Sequence, residues 1–69
     1  MAQDYIVYAV DDHAGYQQME MGRAGSMTEA GTLVEALDTK GSWPEGWDAV
    51  IECDGKRWLF VDETEIIEL

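Results

Sequence analysis

The chain has one cysteine, one histidine, one phenylalanine and only four Lys or Arg side chains among its 69 residues. A single Cys53 excludes an intrachain disulfide, and no Cys/His cluster offers a structural metal site. The fold must rest on packing alone, or on packing plus a partner subunit. A chain of this length is one domain, spanning 1–69, and its core supports only a few kcal/mol of net stability. No apolar run approaches a membrane span, and the opening MAQDYIVYAV lacks the basic start of a signal peptide. With a single cysteine, these absences fit a cytoplasmic protein. The shortage of cations excludes most polyanion chemistry, because a negative surface repels nucleic acid and anionic membranes.

What is present is acid. Fifteen Asp and Glu against four Lys and Arg give a net charge of −11. Residues 1–44 carry seven acids and two bases, and residues 45–69 carry eight and two, so the excess is not confined to a tail. Three Trp, three Tyr, one Phe and four Met supply the large apolar groups of a folded domain.

Tyr5-Ile-Val-Tyr-Ala-Val10 is β-branched and aromatic and predicts a central strand. Asp11 to Gly15 is turn chemistry. Tyr16 to Met21 alternates in part, with Gln17, Met19 and Met21 on one face, and closes a hairpin with the first strand. Gly22 to Gly25 reads as a loop. Ser26-Met-Thr-Glu29 is a capping box, after which Met27, Ala30, Leu33, Val34 and Leu37 make an apolar stripe. The helix is placed at about 27–39, with Gly41 as its stop and Gly31 weakening it by roughly 1 kcal/mol.

Trp47 to Cys53 and Lys56 to Val61 flank Asp54-Gly55, a type I′ hairpin signal. A two-residue turn sets Glu52 opposite Arg57, Ile51 opposite Trp58 and Ala49 opposite Phe60. Glu65 to Leu69 forms a short last strand. The expected architecture is α+β: an antiparallel sheet of four or five strands with one helix on one face, in the order ββαββ(β).

No pattern of residues carries catalysis, and no cofactor or metal is implied. Asp11-Asp12-His13 is three neighbours on a turn, which rarely converge on one ion. Cys53 lies between Glu52 and Asp54, which raise a thiol pKa and work against nucleophilicity. The glycines at 22 and 25 lack phosphate-loop spacing. The most distinctive loop is Trp43-Pro-Glu-Gly-Trp47, whose tryptophans either cover the open end of the core or anchor a partner.

The acid excess has two readings. One is solubility, for which a net charge of about 2–8 suffices. The other is imitation of a polynucleotide, because DNA-binding proteins carry basic grooves tuned to regularly spaced negative charge. Glu29, Glu35 and Asp38 on the helix and Asp62, Glu63, Glu65 and Glu68 near the end of the chain are the carboxylates available for it. Trp43 and Trp47 are the apolar anchors.

In length, charge and expected one-helix sheet, the chain resembles the small acidic inhibitors that bacteriophages encode. Those include anti-CRISPR proteins and inhibitors of uracil-DNA glycosylase. Asp54-Gly-Lys-Arg-Trp58, between two strands, is similar to a stretch of a short type I-F anti-CRISPR. The resemblance implies a non-enzymatic inhibitor that blocks the basic site of a nucleic-acid-binding protein, such as a Cas subunit or a surveillance complex, in a host cytoplasm. The alternative is a small acidic cytoplasmic adaptor or subunit that docks through apolar surface, with a homodimer through an open sheet edge as one form of it.

Self-repulsion opposes the compact state, and added salt screens it. The melting temperature should therefore rise between low salt and about 0.5 M NaCl, as followed by far-UV circular dichroism. A flat response would mean that the charges are already compensated in pairs.

Overall fold

The β-branched run near the start of the chain forms β1 (Tyr5–Asp11) in a computed structural model that describes residues 4–13 and 15–69. It is followed by β2 (Gln17–Ala24), α1 (Met27–Lys40), β3 (Asp48–Cys53), β4 (Lys56–Asp62) and β5 (Glu65–Glu68). The strands make one sheet in the order β2-β1-β3-β4-β5, antiparallel at every pairing. The α+β architecture is therefore as expected, with the fifth strand present. The turn anticipated over 11–15 includes Ala14, which lies outside the described residues. No helix among the described residues is long and apolar enough to cross a membrane.

The β3–β4 hairpin follows from its turn chemistry. Asp54 and Gly55 have φ of 52° and 79°, the left-handed pair that a type I′ turn requires. The register is the one this turn imposes, from Cys53 opposite Lys56 to Ala49 opposite Phe60.

β2 departs from expectation. Gly22, Arg23 and Ala24 are not a loop but continue the strand, opposite Val7, Ile6 and Tyr5. Val7 pairs with Gly22 while Tyr8 pairs with Glu20, so Met21 is the extra residue of a bulge. The bulge breaks the face shared by Gln17, Met19 and Met21: Met19 is exposed, whereas Met21 is half-buried against the core. Gly22 belongs in the strand for a steric reason. A Cβ there would sit 2.8 Å from Leu33 Cδ2, so the missing side chain lets α1 settle onto β2.

The helix ends are chemically defined. Ser26 Oγ accepts from Glu29 N at 3.1 Å, and Glu29 Oε2 accepts from the Gly25 amide at 3.3 Å, one residue earlier than in the standard capping box. At the far end Gly41 adopts φ 80°. Its amide donates to Asp38 O and that of Ser42 to Leu37 O, a Schellman closure.

The core lies between α1 and the sheet: Val7, Ala30, Val34, Ala49, Ile51 and Phe60, with Met27, Leu33, Trp43 and Trp58 packed around it. Gly31, buried in mid-helix, is explained by Phe60. A Cβ at Gly31 would lie 2.9 Å from the ring's Cε2, so glycine is what lets the helix approach β4. Gly31→Ala should therefore destabilise the protein by about 1 kcal/mol, overpacking outweighing the better helix propensity. In a Phe60→Leu background the same substitution should turn neutral or stabilising. Chemical denaturation of the four proteins tests this.

Candidate functional site

Strand register sorts the charges by end of the sheet. Arg23 lies opposite Ile6, Arg57 opposite Glu52 and Lys56 opposite Cys53, all toward the end where β1 begins and β3 finishes. At the other end, where Val10 pairs with Asp48, stand Asp11, Asp12, Asp48 and Asp62, with the last turns of α1 running to Lys40. Of the four Lys and Arg, only Lys40 lies toward that end. Two of the cations of the opposite end are engaged: Arg23 with Glu20 at 3.3 Å and Asp4 at 3.6 Å, and Arg57 with Glu52 at 3.4 Å.

The anionic end holds a notch of about 660 Å³ between the second half of α1, the loop before β3 and the β4–β5 turn. Five carboxylates line it: Glu35, Asp38, Asp48, Asp62 and Glu63. Its apolar lining includes Trp43, Trp47, Val34 and Phe60. The Trp loop is held by its own bonds. Trp43 Nε1 donates to Trp47 O at 3.0 Å, the Trp47 amide donates to Pro44 O at 3.3 Å, and Gly46 takes φ 81°. Trp43 is half-buried and packs on the core, while half-buried Trp47 faces the notch. Trp43 thus closes the core, and Trp47 lies half-buried along the notch.

Asp62 is fixed by the turn it begins. Its Oδ1 accepts from Thr64 N and Oγ1, each at 2.7 Å, and the hydroxyl bond first, then the amide bond, holds its pKa below the usual range. It stays ionised. Glu35 behaves oppositely. A hydrogen bond shared with the Glu63 carboxyl, then partial burial, then the charges of Glu63 and Asp62 push its pKa up. Glu35 on α1 thus keeps its proton to higher pH than an isolated carboxyl would.

Of the nine residues singled out in the sequence, six meet at this notch: Glu35, Asp38, Trp43, Trp47, Asp62 and Glu63. Three do not. Glu29 serves the helix cap at the opposite end of α1, and Glu65 and Glu68 lie exposed along β5. Asp48 joins the group unanticipated, although the β3–β4 register that sets Ala49 opposite Phe60 already brings the start of β3 beside the end of β4. Asp11, Asp12 and His13 place their ligand atoms within 4.8 Å of one another. His13 N and Nδ1 both bond Asp11 Oδ1, at 3.1 and 2.9 Å, so the turn itself uses the carboxylate, as a solvated turn would. Cys53 is buried at the end of β3.

The sheet face away from α1 carries Tyr8, Val10, Val50, Leu59 and Ile67, adjacent through the strand register. Val10 and Val50 are buried although no helix covers them. Arg57 of β4 reaches Tyr16 Oη and Gln18 Oε1 beside β2, both at 2.9 Å, so these side chains bridge over β1 and β3. Beyond this bridge, Val61, Ile67 and Leu69 remain exposed.

Comparison with known protein families, curated proteins and solved structures found no match to this chain.

Glu35→Gln should raise the melting temperature at neutral pH and leave it nearly unchanged at about pH 4. The sign follows from the raised pKa. The protonated Glu35 carboxyl, bonded to Glu63, favours the fold at low pH, and that contribution is lost as pH rises through the folded-state value of Glu35. Gln keeps a donor toward Glu63 at all pH. Thermal melts of both proteins across pH check it, and an equal shift at every pH would refute the raised pKa of Glu35.

Proposed function

We propose that this protein is a non-enzymatic binding module that occupies the basic site of a nucleic-acid-handling protein and excludes the polynucleotide. The carrying observation is the gathering of five carboxylates and two indoles at one end of the molecule, away from Arg23, Lys56 and Arg57. A basic groove presents Lys and Arg spaced for phosphates. Carboxylates accept their hydrogen bonds, and indole faces attract the same cations. The elements that hold the notch are capped, bulged or hydrogen-bonded in place, so little conformational freedom is lost on binding. The charge of −11 speeds encounter with a positive surface and makes the affinity salt-dependent. The class resemblance points to a bacteriophage-type inhibitor, with an anti-CRISPR acting on a Cas subunit in the host cytoplasm as its most specific form.

A second reading has its own support. Val61, Ile67 and Leu69 are exposed along the β4–β5 side, the kind of apolar surface an adaptor or subunit docks through.

The readings separate by salt and by competition. The immobilised protein should retain DNA- or RNA-handling complexes from a bacterial lysate, and about 0.5 M NaCl or added duplex DNA should release them. The double variant Asp62→Lys with Glu63→Lys should retain none. A partner that resists both salt and DNA would instead favour docking through the apolar side.

A further inference from the structure

The two edges of the sheet are not equivalent. β2 is bulged at Met21 and carries Arg23 among its side chains, both features that discourage an added strand. β5 is short, exposed at every residue from Glu65 to Glu68, and regular along its pairing from Trp58 opposite Glu68 to Phe60 opposite Ile66. The direction of its backbone groups follows from one bond: the Leu69 amide donates to Arg57 O at 2.8 Å. In an antiparallel ladder the direction alternates residue by residue. Leu69 and Ile67 therefore turn their N–H and C=O toward β4, and Ile66 and Glu68 turn theirs outward.

We infer that this outer edge of β5 is a docking edge for an extended, cationic segment of a partner, which adds to the sheet as a sixth strand. Main-chain bonds to Ile66 and Glu68 would supply the attachment, and side chains the selectivity. Ile66 and Ile67, 37% and 44% exposed on opposite faces, offer apolar neighbours to the added strand. Glu65 and Glu68 flank them, and no Lys or Arg lies between Thr64 and Leu69. Opposite charges across a strand pair are favourable and like charges unfavourable. That selects a segment in which Lys or Arg alternates with β-branched residues. It disfavours a second copy of this chain, whose β5 brings the same carboxylates and a net charge of −11. The inference shares with the proposed function only the basic character of the partner, and it does not involve the notch.

The edge geometry allows a selective test. The probe is a synthetic peptide of alternating Lys, Val and Thr, with a counterpart carrying Glu at each Lys. In the free full-length protein, the amides of Ile66 and Glu68 should exchange quickly with deuterium, and those of Ile67 and Leu69 slowly. The Lys peptide should slow exchange at Ile66 and Glu68, and the Glu peptide should not. Glu68→Pro removes an outward N–H and leaves the bonds to β4 intact; it should weaken the peptide about tenfold or more, whereas Glu68→Gln should weaken it less. Three results would overturn the inference: no protection by the Lys peptide, equal binding by Glu68→Pro and Glu68→Gln, or protection of the same amides in a concentration-dependent dimer without peptide. The variant with Asp62→Lys and Glu63→Lys should still show protection at Ile66 and Glu68. If the unaltered protein captured no DNA- or RNA-handling complex from lysate yet still docked the Lys peptide, that would count against the proposed function alone.

Discussion

One helix is too narrow for the sheet it covers. A helix with its side chains is about 10 Å across, and five strands span roughly 19 Å between the outermost axes. α1 therefore rests mainly on β2, β1 and β3, and it meets β4 where the Phe60 ring packs against Gly31. Everything of functional interest lies on the uncovered side. The notch opens where α1 parts from the β4–β5 turn, a smaller groove continues along Met27, Phe60 and Ile66, and the β5 edge stands beyond both. Gly22 and Gly31 draw the helix down at two points, which fixes how far it leaves the remaining strands open.

Charge sorting is the second consequence of the architecture. The net charge belongs to the sequence, but its placement comes from antiparallel register. Arg23, Lys56 and Arg57 fall near one end because β2 finishes and β4 begins there. The carboxylates of the other end come from four separate elements, and none of them is neutralised by Arg23, Lys56 or Arg57. Such an end is strained by its own field: the charges of Glu63 and Asp62 are among the causes that push the Glu35 pKa up. A basic partner relieves that strain, so part of its affinity would come from repulsion already present in the free protein.

Local chemistry made much of the fold legible in the sequence. Asp54-Gly55 dictated the β3–β4 register residue by residue, and Ser26 with Gly41 bounded the helix to within one residue. The bulge at Met21 was not legible. Glycine next to arginine and alanine reads as a loop, and only Leu33, packing from a distant element, shows why Gly22 stays in the strand. Among the site residues, helical spacing already placed Glu35 and Asp38 near one another. Their meeting with Asp62, Glu63 and Trp47 depends on contacts far apart in the chain. Glu29 shows the converse: its position invited a partner-facing role, but its carboxylate is engaged with the Gly25 amide.

The ladder between β1 and β3, from Ile6 opposite Glu52 to Val10 opposite Asp48, joins the two halves of the chain. On one side of it β1, β2 and α1 form a unit, and on the other β3, β4 and β5 form a meander whose neighbours in sequence are neighbours in space. Only the segment from Gly41 to Trp47 connects them covalently. The molecule is in this sense two short-range assemblies zipped along one long-range line. Each can form early by local closure, and joining them waits on that line. Severing the link near Glu45 would leave two fragments, each keeping its hairpin and, between them, all the pieces needed to reconstitute the whole by complementation.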